Sequence, residues 1–288
     1  MKLIEQLTDY FELTKSQFRE TTIEHHRQLL KNIINSLDHI KVDKLDKMDL
    51  EYGLKFIAYL KDFTKSSNNT INRHIRYLKN ILKYYKIFTS LEDLKLLPSD
   101  TKPFKRFYHD ELKLIIDYLN KLNYTSNSVV YRSLVRFLLD SGVRISEALA
   151  IRITNIDFVN QSIYLEETKT KKVRYAPFSD FSANNLKEII ALKPQREYLF
   201  YNILKDRPLN KNDVKLFYRR LKKALHIDRI HTHRFRKTFG SMLVENGLPI
   251  EHLQSIYQHS RITTTMKYVQ YEETKALEEY KKFNKWRI

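Results

Sequence analysis

Apolar residues recur at helical spacing through the first third of the chain. Leu30, Ile33, Ile34 and Leu37 fall at i, i+3, i+4 and i+7, which predicts a helix over about 20–37. Leu50, Leu54, Ile57 and Leu60 predict a second, over about 48–63. Ile71, Ile75, Leu78, Leu82 and Tyr85 predict a third, over about 68–87, whose opposite face carries Arg76, Lys79, Lys83 and Lys86. No proline interrupts the first 97 residues, but Pro98–Arg106 (PSDTKPFKR) breaks the pattern. Its two prolines and its bases Lys102, Lys105 and Arg106 read as a linker. Helical spacing resumes at Leu112, Ile115, Ile116 and Leu119, and again through Val135–Leu139. The period then becomes two. Ile163 and Leu165 alternate, as do Val173, Tyr175 and Pro177, which predicts a hairpin with Lys169 and Lys171 near its tip. Helical patterning returns over about 180–191, 211–225 and 233–246, with Gly247 as a closing residue and Pro249 opening the next helix. Leu277, Tyr280, Phe283 and Trp286 extend an apolar stripe along a tail of about 269–288. The expected fold is mainly α with one small antiparallel β-sheet. A helical domain over 1–97 precedes a linker over 98–106 and a second domain over 107–288.

Composition narrows what such a fold can do. The 288 residues carry a net charge of +18, no cysteine and four glycines. Without cysteine there is no disulfide, no thiolate nucleophile and no Cys-ligated metal. Gly53, Gly142, Gly240 and Gly247 lie too far apart for a phosphate-cradling loop, so a P-loop or a dinucleotide fingerprint is excluded. No apolar run reaches membrane-spanning length, and Met1–Gln6 is charged within its first turn, unlike a signal peptide. The expectation is a cytoplasmic protein, nucleoid-associated, with a polyanionic partner. The charge is uneven: residues 201–250 hold twelve basic residues against four acidic ones. On charge alone, a solvated lysine-rich surface explains this as well as a nucleic-acid interface does.

Four segments carry candidate chemistry. Leu139–Leu149 (LDSGVRISEAL) sets Arg144 after a glycine turn, at the start of a helix that also holds Glu147. The hairpin tip carries Lys169. Thr232–Phe239 (THRFRKTF) places His233 and Arg236 three apart, on one helical face. Gln258–Tyr268 (QHSRITTTMKY) sets His259 nine residues before Tyr268. His226, His231 and His233 lie close together, but no carboxylate or cysteine completes a metal set, and no metal or other cofactor is expected.

In order and spacing these blocks resemble the tyrosine recombinase (phage integrase) family. The segment around Arg144 resembles the family's T-G-L-R-I-S-E-L box, and Lys169–Pro177 its G-K-G-x-K-x-R-x-x-P hairpin. The stretch from His233 resembles H-x-L-R-H-T-F-A-T, and that from His259 resembles the family's block that opens G-H-S and closes on Tyr. Lys237 stands where the family often has His, and Gln258 where it often has Gly. The likeness covers essentially the whole chain, in a compact Xer-type layout without an arm-site domain. It implies an N-terminal helical core-binding (SAM-like) domain and a C-terminal catalytic domain that close as a C-shaped clamp on DNA.

The resemblance also implies roles. A phosphodiester repels nucleophiles, so cleavage needs charge neutralisation, a nucleophile and a proton for the leaving oxygen. Arg144 and Arg236 would clamp the non-bridging oxygens, and Lys169 would protonate the departing 5′ oxygen. His233 would serve as base or phosphate contact, and His259 as hydrogen-bond donor. Tyr268 would attack to give a 3′-phosphotyrosine, and Glu147 would orient a neighbouring side chain. Tyr257 and Tyr271 are rival phenols at the wrong offset from His259. The implied partners are double-stranded DNA with an inverted-repeat site, further copies of the chain forming a tetramer on DNA through the tail, and an accessory protein. The implied setting is chromosome-dimer resolution or movement of a mobile element. Two alternatives share the catalytic set or the fold: a type IB topoisomerase and a non-catalytic DNA-binding regulator.

Overall fold

The computed structural model describes residues 3–100, 105–166 and 174–268. The chain divides into two compact units, Met1–Lys102 and Pro103–Ile288. Among the described residues no helix is long and apolar enough to cross a membrane.

The first unit is helical: α1 (Leu3–Thr14), α2 (Glu20–His39), α3 (Leu50–Asp62) and α4 (Asn68–Tyr84). Leu7, Ile33, Leu37, Phe56, Leu60, Ile71, Ile75 and Ile81 form its core. Local chemistry sets the helix starts. The Asp49 carboxylate accepts from the Tyr52 N–H at 2.9 Å to open α3, and Ser67 does the same for Thr70 at α4.

The expected α3 face is partly wrong. Ile57 and Leu60 are buried, but their companions are Gly53 and Phe56, while Leu50 and Leu54 face solvent. The cause is Gly53, which an apolar count skips. A Cβ there would lie 2.9 Å from Leu94 and closer still to Leu91, so the bare backbone forms the contact and turns the helix. The division between the units falls inside the expected linker. Asn72 exchanges two 2.8 Å bonds with Leu97, and Asp100 accepts from the Asn68 N–H at 2.7 Å, so residues 97–100 are pinned to α4.

The second unit begins with α5 (His109–Lys121), α6 (Ser126–Ser141) and α7 (Ile145–Leu149). Strands β1 (Ile156–Asp157), β2 (Ser162–Leu165) and β3 (Arg174–Pro177) form an antiparallel sheet in that order. After α8 (Asp180–Leu192), β4 (Tyr201–Asn202) and β5 (Arg207–Pro208) make a second, two-stranded sheet that alternation did not reveal. The remaining helices are α9 (Lys211–Leu225), α10 (Thr232–Glu245), α11 (Ile250–Tyr257) and α12 (Ile262–Thr265), with a 3₁₀ turn over Met266–Tyr268. Helix α6 lies at the centre. Val130, Leu134, Val135, Phe137 and Leu138 are buried on several sides, and α8 and α10 pack against it.

In β3 the inward residues are Arg174 and Ala176, opposite Leu165 and Ile163, while Tyr175 is exposed. Tyr175 and Pro177 of the expected alternation therefore face outward, and Val173 lies outside the described residues. A one-residue shift of alternation exchanges the two faces. The buried arginine that misleads the pattern has a partner, described next.

Candidate active site

Four helix ends converge in the second unit. Gly142 closes α6 with a left-handed φ of 60°, and its N–H donates to the Leu138 carbonyl at 3.3 Å. A Cβ at this position would overlap the Phe239 ring, so conformation and packing both require glycine. The turn delivers Arg144 to the N-cap of α7. Its N–H donates to Glu147 Oε2 at 2.7 Å and its Nη1 to Oε1 at 2.8 Å.

Glu147 is 3% exposed and also accepts from Arg174 Nη2. Arg174 Nη1 donates to the Ile256 carbonyl at 2.6 Å, tying β3 to α11. Burial alone would push the Glu147 carboxyl up. Arg174 and the donors of Arg144 outweigh burial and hold it below the ordinary range, so it stays ionised between two guanidiniums.

Arg236, on α10, is 2% exposed. Nη1 donates to the Gly142 carbonyl at 2.7 Å and Nη2 to the Tyr257 carbonyl at 3.3 Å, while its guanidinium lies 3.7 Å over the Tyr257 ring. Burial pulls its pKa down, but a guanidinium remains charged at neutral pH. The Tyr257 hydroxyl donates to the Arg236 carbonyl at 2.6 Å, and burial pushes this phenol far above its ordinary value. Tyr257 is thus a wall of the site with its oxygen committed to α10.

Helix α11 ends in Gln258, whose φ of 48° is left-handed. This is the position where resemblance expected glycine, and the backbone there does turn as glycine would. The turn brings in His259, fixed by its N–H to Gln254 O (3.1 Å) and by Gln254 Nε2 to its own carbonyl (2.9 Å). Its ring stacks on Tyr268 with centroids 6.2 Å apart and planes at 23°. Tyr268 is 5% exposed and its hydroxyl is hydrogen-bonded with Arg236. Burial raises the Tyr268 pKa, and Arg236 and Arg144 pull it back part of the way. Gly240 makes the seat: a Cβ there would stand 2.6 Å from Tyr268 Cδ1 and 2.8 Å from the Tyr257 hydroxyl.

His233 sits one turn before Arg236 and keeps solvent-exposed surface. The protein behind it, then Lys237, Arg236, His231 and Arg144, drive its pKa down to about 4. Burial, then Arg236 and Arg144, do the same to His259. Both imidazoles are neutral at pH 7. His231 spends Nδ1 capping α10, accepting from the Arg234 N–H at 3.2 Å. Among the described residues no group of three His, Asp or Glu side chains is placed to hold a metal ion.

The structure therefore brings Arg144, Glu147, Arg236, His259 and Tyr268 together, with His233 within their field. Lys169, Lys171, Lys102, Tyr271 and the 269–288 tail lie outside the described residues. Of the other bases singled out in sequence, Arg76, Lys83, Lys86 and Lys105 are exposed. Lys79 instead donates to the Glu92 and Leu94 carbonyls at 2.8 and 3.0 Å. Arg106 pairs with Glu245 and lies 5.7 Å over the Tyr108 ring. Both make contacts within their own units.

Sequence reasoning passed over Arg174, although the hairpin motif includes it. It also passed over a row on α9: Lys211, Lys215, Arg219 and Lys222, at i, i+4, i+8 and i+11. The row lines a groove of about 370 Å³ floored by Val214, Tyr218 and Ile230 and bounded by Ile145, His231 and Thr232, beside the Arg144 turn and the start of α10. The local charge excess over 201–250 was the available signal.

Residues 105–275 match the phage integrase family. The chain is 53% identical over 286 residues to a "Probable integrase/recombinase" of Acholeplasma phage L2, covering 99% of each. It is 23% identical to "Tyrosine recombinase XerC" of Staphylococcus saprophyticus, over 93% of this chain and 92% of that one. Among solved structures it is similar to the Tn1549 transposon integrase in complex with transposon right end DNA. That likeness has a TM-score of 0.81 at 19% identity and covers 98% of this chain and 99% of the other. It is also similar to a lambda integrase dimer bound to a COC′ core site, with a TM-score of 0.78 at 14% identity, over 100% of this chain and 80% of that one. At these identities the structural likeness establishes the fold.

Proposed function

From the premise that this chain belongs to the phage integrase family of tyrosine recombinases, we propose that it is a DNA strand transferase that cuts and rejoins specific DNA sites through a 3′-phosphotyrosine at Tyr268. The observation that carries the reading is Tyr268 stacked on His259 and hydrogen-bonded to Arg236, in a site that also holds Arg144. Tyr268 reaches His259 and Arg236 of its own chain, which supports attack in cis.

The chemistry follows from the donors. Arg144 and Arg236 would bind the non-bridging oxygens, their planar forks giving paired bonds at fixed charge. Glu147 would hold Arg144 in place. A phenol of pKa ~10 lies roughly 4 kcal/mol from ionised at pH 7, and burial adds to that in the free protein. When Arg236 turns its donors to a phosphate, Tyr268 would be released to approach phosphorus, and neutral His233 would take its proton. Lys169 would return a proton to the 5′ oxygen. The phosphotyrosine would keep the energy of the broken bond, so an incoming 5′-hydroxyl could reseal it without ATP or metal.

The α9 row beside this site would neutralise flanking phosphates, and Arg76, Lys83 and Lys86 would do so from the first unit, acting as a core-binding domain. The high identity to a phage protein favours movement of a mobile element over chromosome-dimer resolution. Assembly as a tetramer on two duplexes, docking of the 269–288 tail on a neighbouring copy, an accessory protein and a cytoplasmic, nucleoid setting belong to the same proposal.

The test selects bound fragments from random DNA, then incubates the protein with a nicked suicide duplex of the selected site, in EDTA and without ATP. A covalent protein–DNA band is expected, and its loss in Tyr268→Phe. A band that persists in Tyr268→Phe would show that another residue is the nucleophile. Relaxation of any plasmid irrespective of sequence would favour a topoisomerase.

A further inference from the structure

The proposed chemistry leaves one buried polar group beside the site unused. Thr265 ends α12, three residues before Tyr268, and has no accessible surface. Its Oγ1 lies 2.9 Å from His259 Nδ1. Across the ring, His259 Nε2 lies 3.4 Å from Arg236 Nη2. A guanidinium has only donors, so Nε2 can meet it only with its lone pair. The ring is neutral, because burial and the nearby arginines pull its pKa down to about 4. Its one proton is therefore on Nδ1, and Thr265 Oγ1 accepts it.

That form of the ring cannot donate from Nε2. A hydrogen bond from His259 to a phosphoryl oxygen needs the proton on Nε2, and the bare Nδ1 then needs a donor in a buried place. A hydroxyl can serve both forms: it accepts in one and, after rotating about Cβ–Oγ1, donates in the other. A valine of similar shape can do neither.

We infer that Thr265 is a positioning residue that holds His259 as the Nδ1–H tautomer in the free protein and, by turning its hydroxyl, stabilises the Nε2–H tautomer once a phosphoryl oxygen takes Arg236 from the ring. The balance closes without a change in net charge. The Nδ1 proton leaves to solvent, one proton arrives at Nε2, and the threonine keeps its own. The exchange also frees Arg236 Nη2 for the same phosphate, so both donors are recruited in one step. This inference rests on the reading of the site as a phosphodiester-cleaving centre.

Long-range ¹H–¹⁵N correlation on the full-length protein tests it. The free wild type should show His259 as Nδ1–H. Saturating inorganic phosphate should move it to Nε2–H. Thr265→Ser should keep both responses, and Thr265→Val, in which Arg236 still meets Nε2, should stay Nδ1–H when phosphate is added. In the suicide-duplex assay Thr265→Ser should cleave within about threefold of wild type, and Thr265→Val about tenfold or more slower. A free protein with His259 as Nε2–H overturns the inference. So does a ring that stays Nδ1–H in phosphate, or a Thr265→Val protein that cleaves like wild type. The spectra on wild type decide the matter even if Thr265→Val fails to fold or no DNA is cleaved, so failure here is separable from failure of the proposed function.

Discussion

Glu147→Gln isolates the electrostatic frame of the site with almost no change in shape. The carboxylate accepts three bonds, from the Arg144 N–H, Arg144 Nη1 and Arg174 Nη2. A glutamine oxygen can replace one carboxylate oxygen, but its NH₂ must then face a donor. Arg174, 3% exposed at its side chain, is left without a counter-charge. Breaking a buried ion pair from one side costs about 3–5 kcal/mol, and the retained acceptor places the expected loss near 3 kcal/mol. The pH dependence gives a second check. The Glu147 pKa is lower folded than unfolded, so its contribution is complete above the ordinary glutamate pKa of about 4.3 and is lost as pH falls through the folded value. Urea unfolding should therefore show wild type ahead by about 3 kcal/mol at pH 7, with the gap closing in acid. The freed Arg144 should lower cleavage on the order of 10²–10³-fold with DNA binding retained. No gap at pH 7, or a gap that stays constant down to pH 3, would refute the assigned role of the carboxylate.

Three further outcomes are expected. Gly240→Ala should gain up to about 1 kcal/mol of helix propensity but force Tyr268 off its seat, read as increased nitration of Tyr268 by tetranitromethane; unchanged protection would mean the phenol packs elsewhere. NMR titration of the free protein should find the His233 and His259 rings neutral until pH falls toward about 4, and their contribution to stability should decline as pH drops from about 6.5 to that value; midpoints near 6.5 would contradict the desolvated, cation-flanked site. Lys215→Ala and Arg219→Ala should each reduce the salt slope of DNA binding by about 1 while leaving site preference intact, and an unchanged slope would remove the α9 groove from the interface.

The candidate site was legible where it is written in residue type and order. Arg144, Arg236, His259 and Tyr268 stand at intervals that survive folding because short helices and turns fix them locally. Gly142 and the left-handed Gln258 set those turns. What supports these residues was not legible, because it depends on which elements cross. Arg174 breaks the alternation of β3 and reads as a surface charge until Glu147, on another element, is found beside it. The inward face of α3 was misread because Gly53 packs through its backbone, and hydrophobicity counts do not register that. Lys79 looks free on a helical wheel, yet the 3₁₀ turn over Ser90–Asp93 and the Leu94 that follows it offer the Glu92 and Leu94 carbonyls. Tyr257 looked like a rival nucleophile by proximity in sequence, and only the crossing of α10 and α11 shows its hydroxyl occupied.

The most direct measurement is the chemical identity of the linked residue. The adduct from a selected site would be trimmed with nuclease, digested with protease and sequenced by mass spectrometry. A short oligonucleotide joined through its 3′-phosphate to the Tyr268 phenol is the predicted result. A linkage on Tyr257, Tyr271 or a serine, or through a 5′-phosphate, would contradict the account.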